Sequence, residues 1–280
     1  VELIFDEKFR PRNILAYPPG NNKIFEEYFY DEYSKIKIIS ERIYIPIFWT
    51  NYYISKDYGN GNISELQDLL NSLDRNKKYF TIVQYDDSIL NDISDLDVLI
   101  FCQGGYGRYR NKSYAIPLNC QNPLERKKEK DIFCSFVGRK THNIRDLIFD
   151  KFKNKEGYLI SETTDYNSFV NTMRQSLFSF CPRGYGMTSF RIFESLSAGS
   201  IPVYIYDNPL IPFEDKFSFS DIGILLKDSD LHLIDDILRS KTKTEIDNYI
   251  VNGETIYKDF FTYEGCYNKI INIVNNKSLI

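Results

Sequence analysis

The segment Ser179-Phe180-Cys181-Pro182-Arg183-Gly184-Tyr185-Gly186-Met187-Thr188-Ser189 and its continuation to Val203 constrain the fold more than any other stretch. An apolar run from Leu177 to Cys181 reads as a strand, and Pro182, Gly184 and Gly186 break it. A helix then opens with Thr188 or Ser189 as its N-cap, and a second strand-like run follows from Ile201 to Tyr206. Strand, glycine loop, helix and strand in that order belong to a mainly parallel sheet. The same order makes an anion site. Free N–H groups and the positive end of the helix dipole face the loop, glycine lets a phosphate approach the backbone, and Arg183 adds a charged fork.

The rhythm recurs along the chain. Asn13–Tyr17, Arg42–Ile47, Tyr79–Tyr85 and Val98–Cys102 are expected strands of a first half, and Leu66, Leu69, Leu70 and Leu73 share one helical face. Between residues 117 and 131 the texture turns to Pro117, Asn119, Asn122 and Pro123, then a charged run from Glu125 to Asp131. This stretch is expected to be a solvated linker. A second half restarts with a strand Ile132–Val137, a turn Gly138–Thr141 and a helix from about Asn143 to Phe152, followed by strands at Gly157–Ile160, Leu177–Cys181 and Ile201–Tyr206. The expectation is an α/β chain of two Rossmann-like domains, residues 1–122 and 123–280, facing each other across a cleft. The last helix is expected to pack back on the first domain.

With 280 residues, 42% of them hydrophobic, the chain has material for two cores. A net charge of -4 provides no field to attract nucleic acid or an anionic membrane. Cys102, Cys120, Cys134, Cys181 and Cys266 are odd in number and widely spaced, which predicts buried free thiols. The first residues lack a signal-peptide pattern and no run of eighteen apolar residues occurs, so a soluble, cytoplasmic protein is expected. Asp95-Leu96-Asp97 and Asp228-Ser229-Asp230 match Asp-x-Asp only as often as chance supplies it, and no His and Cys cluster is evident, so no metal is assigned.

Within the glycine segment, Glu194 lies one helical turn from the diphosphate position, where a carboxylate would accept hydrogen bonds from ribose hydroxyls. Arg191 and Glu194 also have the spacing of a local ion pair, and Arg183-Gly184 that of an ordinary turn. The residues alone indicate a nucleotide-diphosphate site.

Taken in order, Phe-Cys-Pro-Arg-Gly (Phe180–Gly184), Ser-x-Arg-x-x-Glu (Ser189–Glu194), Ala-Gly-x-Ile-Pro-Val (Ala198–Val203) and Asp207 to Phe213 resemble the exostosin family, glycosyltransferase family 47. Phe133–Gly138 with Ile144-Arg145 extends the likeness, which is strong over residues 130–215 and faint elsewhere. At Tyr85-Asp86-Asp87-Ser88 the chain departs from a histidine-containing patch of the family. The resemblance implies an inverting, metal-independent GT-B enzyme using a UDP sugar as donor substrate and needing no cofactor. Arg183 and Ser189 would hold the diphosphate, Glu194 the ribose, and Gly138 with Arg139 the donor side, with Gly184, Arg145 and Arg191 also in the site. An oligosaccharide or glycoprotein is the implied acceptor. The compact chain looks like members from large algal DNA viruses, for which UDP-xylose is the expected donor.

An inverting transfer needs a base for the acceptor hydroxyl and positive charge for the leaving group, the latter supplied by Arg183 and the helix N-terminus. Asp86 and Asp87 follow the strand Tyr79–Tyr85 and are the expected base. Glu26, Glu27 and Asp74 are alternatives, while His142 and His232 both fall in the donor half. A catalytically degenerate nucleotide- and glycan-binding module is the alternative reading. A dehydrogenase or kinase would need a G-x-G-x-x-G opening or a Walker loop, and neither is present.

Overall fold

The computed structural model describes residues 6–12, 23–35, 40–119, 124, 126, 129–162 and 165–275. The strand expected at Asn13–Tyr17 and the thiol of Cys120 lie outside them. The chain divides into two compact units, one formed by residues 1–116 together with 263–280, the other by residues 117–262.

The first unit holds a parallel sheet of β1 (Arg42–Tyr44), β2 (Lys78–Val83), β3 (Asp97–Cys102) and β4 (Ser113–Ala115), in that order. Helices α1 (Phe25–Tyr33), α2 (Trp49–Ser55) and α3 (Ser64–Asn71) complete its N-terminal part. Aromatic side chains fill the core: Phe29 packs edge-on to Tyr44 and Phe80, and the buried indole of Trp49 donates to Thr81 Oγ1 at 2.8 Å. The connections from β2 to β3 and from β3 to β4 contain no α-helix, which departs from regular strand–helix alternation. Side chains, two of them buried tyrosines, supply the hydrogen bonds a crossover helix would have supplied to itself. Tyr53 Oη accepts from the backbone of Leu90 and Asn91, Tyr109 Oη accepts from Ile93 N and donates to Asn91 O, and Gln67 Oε1 accepts from Asp92 N.

The second unit contains β5 (Ile132–Val137), β6 (Tyr158–Ser161), β7 (Ser176–Pro182), β8 (Ile201–Tyr206) and β9 (Ile224–Lys227), with helices α4 (Asn143–Phe152), α5 (Tyr166–Gln175), α6 (Phe190–Ala198), α7 (Ile234–Arg239) and α8 (Lys243–Ile256). All its strand pairs are parallel, in the order β6-β5-β7-β8-β9. Relative to the first strand of the unit this is the doubly wound order 2-1-3-4-5. The core is built from Phe136, Phe178, Phe180 and Val203 on the strands with Ile144, Ile148 and Phe152 from α4. Local signals set the helix ends. Ser189 caps α6 by accepting from Arg191 N, Gly199 closes it at φ 72°, and Thr242 with Glu245 forms a capping box on α8.

Within the charged stretch before β5, Arg126 and Lys130 are anchored rather than solvated. Arg126 reaches Leu196 O and Glu254, and Lys130 reaches Arg174 O. The last helix, α9 (Tyr263–Asn275), belongs to the first unit, where Tyr263 packs on Phe25 and Tyr28, and Tyr267 on Phe29. Cys102, Cys134, Cys181 and Cys266 are buried free thiols. Among the described residues no helix is long and apolar enough to cross a membrane.

Candidate functional site

In a sheet of order 2-1-3-4-5 the connections leave the first and third strands in opposite directions, so the loops at their carboxyl ends part and leave a crevice. Here those strands are β5 and β7. The crevice is lined by Gly138–His142 after β5 and by Arg183–Ser189 after β7, so the glycine segment singled out in the sequence meets the Gly138 turn at this point.

Arg145, on the first turn of α4, joins the two loops. Its guanidinium is buried and donates to Arg183 O at 2.9 Å, Arg139 O at 3.0 Å and Pro182 O at 3.5 Å. A Cβ on Gly184 would come within 3.1 Å of Arg145 Nη2, so the glycine is what lets the two approach. Arg183 wraps its own loop, donating to Gly186 O and Tyr185 O at 3.0 Å and to both carboxylate oxygens of Asp207 at 2.8 and 3.1 Å. Burial alone would raise the Asp207 carboxyl, but the Arg183 and Asn208 hydrogen bonds outweigh it and hold it below the ordinary range. Asp207 stands just past β8, and its pairing with Arg183 is a contact the sequence does not announce.

Arg191 does not pair with Glu194. Its Nε and Nη2 donate to Val137 O at 3.3 and 3.0 Å, and the guanidinium lies over the rings of Phe136 and Phe169. A Cβ on Gly138 would overlap that guanidinium, so any larger residue at the end of β5 requires Arg191 to shift. Arg139 is exposed, and its side chain makes no ion pair among the described residues.

With Arg191 turned away, Glu194 is left 6% exposed and without a hydrogen-bond partner among the described residues. Burial pushes its carboxyl up to about 7 against the pull of Arg191. Thr188 Oγ1 is likewise buried and unpartnered. The backbone N–H groups of Tyr185, Gly186 and Met187 make no hydrogen bond among the described residues, and only Thr188 separates them from the N-cap Ser189. Three successive open amides close to a helix N-terminus are groups of the kind that bind an anion, with an unsatisfied carboxylate one helical turn further on. Of the buried side-chain polar atoms left unpartnered among the described residues, which are spread over both units, Thr188 Oγ1 is the one that lies in this loop.

The candidate bases divide by position. Asp86 and Asp87 are exposed just after β2, at the carboxyl edge of the first sheet. The other three are corrected by their surroundings. Glu26 is fully buried and accepts from Thr50 Oγ1 at 2.7 Å, Gln84 N at 2.7 Å and Thr50 N at 3.1 Å, so no acceptor hydroxyl reaches it. Burial pushes it up to about 8 against those hydrogen bonds. Glu27 is 4% exposed, raised by burial, and held by Asn51 and Arg12. Asp74 precedes β2 at the amino edge of the sheet, where it caps Asn76 N. The Asp-x-Asp aspartates also have local roles, since Asp95 pairs with Arg75 and Asp97 with Arg42. Among the described residues no three His, Cys, Asp or Glu side chains gather as a metal site.

A family model described as the exostosin GT47 domain matches residues 107–241, just under half of the chain and inclusive of this crevice. A Probable glucuronosyltransferase of Oryza sativa subsp. japonica is 34% identical over 97 residues, 34% of this chain and 23% of that protein. A Probable β-1,4-xylosyltransferase of Arabidopsis thaliana is 32% identical over 96 residues, again 34% of this chain and 23% of that protein. The match thus spans about a quarter of the length of these relatives. Among solved structures, an alpha-glucosyltransferase in complex with UDP and a 13-mer DNA aligns over 90% of this chain and 84% of that one at 11% identity. The TM-score of 0.47 is too loose a likeness to define a fold.

Proposed function

We propose that the chain is a glycosyltransferase of the exostosin family and of the GT-B type. It would move a sugar from a UDP sugar, UDP-xylose by preference, to a hydroxyl of a glycan acceptor on a glycoprotein. The observation that carries this reading is the buried, partnerless Glu194 one turn beyond the capped N-terminus of α6 at the switch point of the second sheet. That pairing of an anion-binding loop with a lone acceptor group matches a diphosphate joined to a ribose. The family model laid over the same residues turns the nucleotide into a sugar donor.

In this reading the acceptor oxygen attacks the anomeric carbon, the bond from that carbon to the phosphate oxygen breaks, and its electron pair leaves with UDP. The open amides of Tyr185 to Met187, Ser189 and the α6 N-terminus take up the charge with Arg183, so no metal ion is needed for it. Glu194 accepts from the ribose hydroxyls, and Gly138 and Arg139 border the donor. Arg145 and Arg191 shape the loops through carbonyl contacts. The second unit is the donor domain and the first the acceptor domain, with Asp87, seconded by Asp86, as the base.

UDP release from a panel of UDP and GDP sugars, with and without glycan acceptor, tests the reading. Turnover with a UDP sugar is expected. A response to GDP sugars alone overturns the UDP assignment, and binding without turnover points to the degenerate module. Asp87→Asn should lower turnover by about 10²- to 10⁴-fold with UDP affinity unchanged, and full activity in that variant removes Asp87 as the base.

A further inference from the structure

His142 stands at the edge of the same crevice and has no role in the reading above. It is the N-cap of α4, and its Nδ1 accepts from Ile144 N at 3.3 Å, an N–H it shares with Asn143 Oδ1 at 2.9 Å. A ring nitrogen that accepts carries no proton, so in the neutral ring the proton is on Nε2. Nε2 lies 3.9 Å from Asp207 Oδ2, beyond hydrogen-bond reach, and that carboxylate is already taken by Arg183 and by Asn208 N. The Nε2–H is therefore a donor on a mostly buried side chain, oriented by its own helix cap and without a hydrogen-bond acceptor among the described residues.

The charges around it keep the ring neutral. Burial lowers its pKa first, Arg183 and Arg145 lower it further, and Asp207 and Asp228 oppose them. A neutral donor beside two arginines is poorly placed to hold a cation and well placed to meet an anion.

We propose that His142 is a catalytic residue of the donor site, its Nε2–H donating a hydrogen bond to the diphosphate of the nucleotide sugar and holding that bond as UDP leaves. The proposal rests on the nucleotide-sugar reading. In the transfer, the electron pair of the broken sugar–phosphate bond comes to the phosphate oxygen, the acceptor's proton goes to the base, and the His142 proton stabilises the new charge without leaving nitrogen.

Two substitutions separate the donor from the cap. His142→Asn keeps a good N-cap for α4 but lacks the reach of Nε2, whereas His142→Gln keeps an N–H near that reach and caps less well. Binding of UDP and of uridine is measured by calorimetry alongside the melting temperature. The expected result is that His142→Asn weakens UDP about tenfold, leaves uridine unchanged and melts with the wild type, while His142→Gln recovers most of the UDP affinity. Equal UDP binding by wild type and His142→Asn overturns the proposal, as does equal loss in both variants or a parallel loss for uridine. If the wild-type chain binds no nucleoside diphosphate, the nucleotide-sugar reading itself fails. Binding that persists in wild type and His142→Asn alike defeats the role of His142 alone.

Discussion

The two units each bury a glutamate near the carboxyl edge of a parallel sheet, and they treat it in opposite ways. In the first, Glu26 is surrounded by donors from α2 and from the chain just past β2. In the second, Glu194 is buried to nearly the same degree and no described residue donates to it. Burying a carboxylate is costly in either setting. A saturated one returns that cost as structure by tying three segments together, whereas an unsatisfied one leaves hydrogen-bonding capacity for something outside the chain.

Substitutions can break or sharpen this contrast. The largest effect is expected from Glu26→Ala, which strands the N–H groups of Thr50 and Gln84. Chemical denaturation should show a loss of about 3 kcal/mol, with nucleotide affinity unchanged in the folded fraction. A change in affinity without loss of stability would reverse the roles of the two glutamates. Gly138→Ala pushes the Arg191 guanidinium off Val137 O and should cost about 2 kcal/mol. Because the donor loop moves with it, nucleotide binding should fall as well, and retained binding would show that this turn lies outside the site.

Glu194→Gln should weaken UDP about tenfold, or about 1.4 kcal/mol, without loss of stability. The sign of its pH dependence follows from the raised pKa. A carboxyl favoured in its protonated form by the fold adds stability that is whole below its ordinary value of 4.5 and lost as the pH rises through about 7. Wild type should therefore lose ground to Glu194→Gln in melting temperature between those values. Ribose hydroxyls favour the ionised form, so the contribution of Glu194 to UDP affinity should fade as the pH drops through 7, and the variant should lack that part of the profile. Asp74→Ala should have the smallest effect, no more than about 1 kcal/mol and none on turnover, as fits a residue at the amino edge of its sheet.

The second unit was more legible in the sequence than the first. The apolar runs giving β5, β7 and β8 are bounded by glycine, proline or charge, and each observed strand lies within a residue of its expected bounds. β4 and β9 gave little warning, being only three and four residues long, too short to show an alternation or a bounded apolar run. In the site, Gly138, Ser189 and Glu194 could be placed because a cap, a turn and a helical turn are local features. The hold of Asp207 on Arg183 and of Arg191 on Val137 O could not, because 24 and 54 residues separate the partners. The burial of Glu26, one of the alternative bases, was not legible for the same reason. In the run Phe-Glu-Glu-Tyr its chemistry suggests the surface, and only donors 24 and 58 residues away make the interior tolerable.

The return of α9 to the first unit bears on the order in which the chain can fold. Residues 117–262 form one uninterrupted stretch, so during synthesis the second unit has all of its own parts before α9 is made. The first unit must wait for Tyr263 and Tyr267 to cover Phe25, Tyr28 and Phe29 and for Val274 O to meet Ser40. The unit translated first is the last that can close, and a nascent chain halted near residue 262 would display an aromatic surface while its crevice between β5 and β7 was already built.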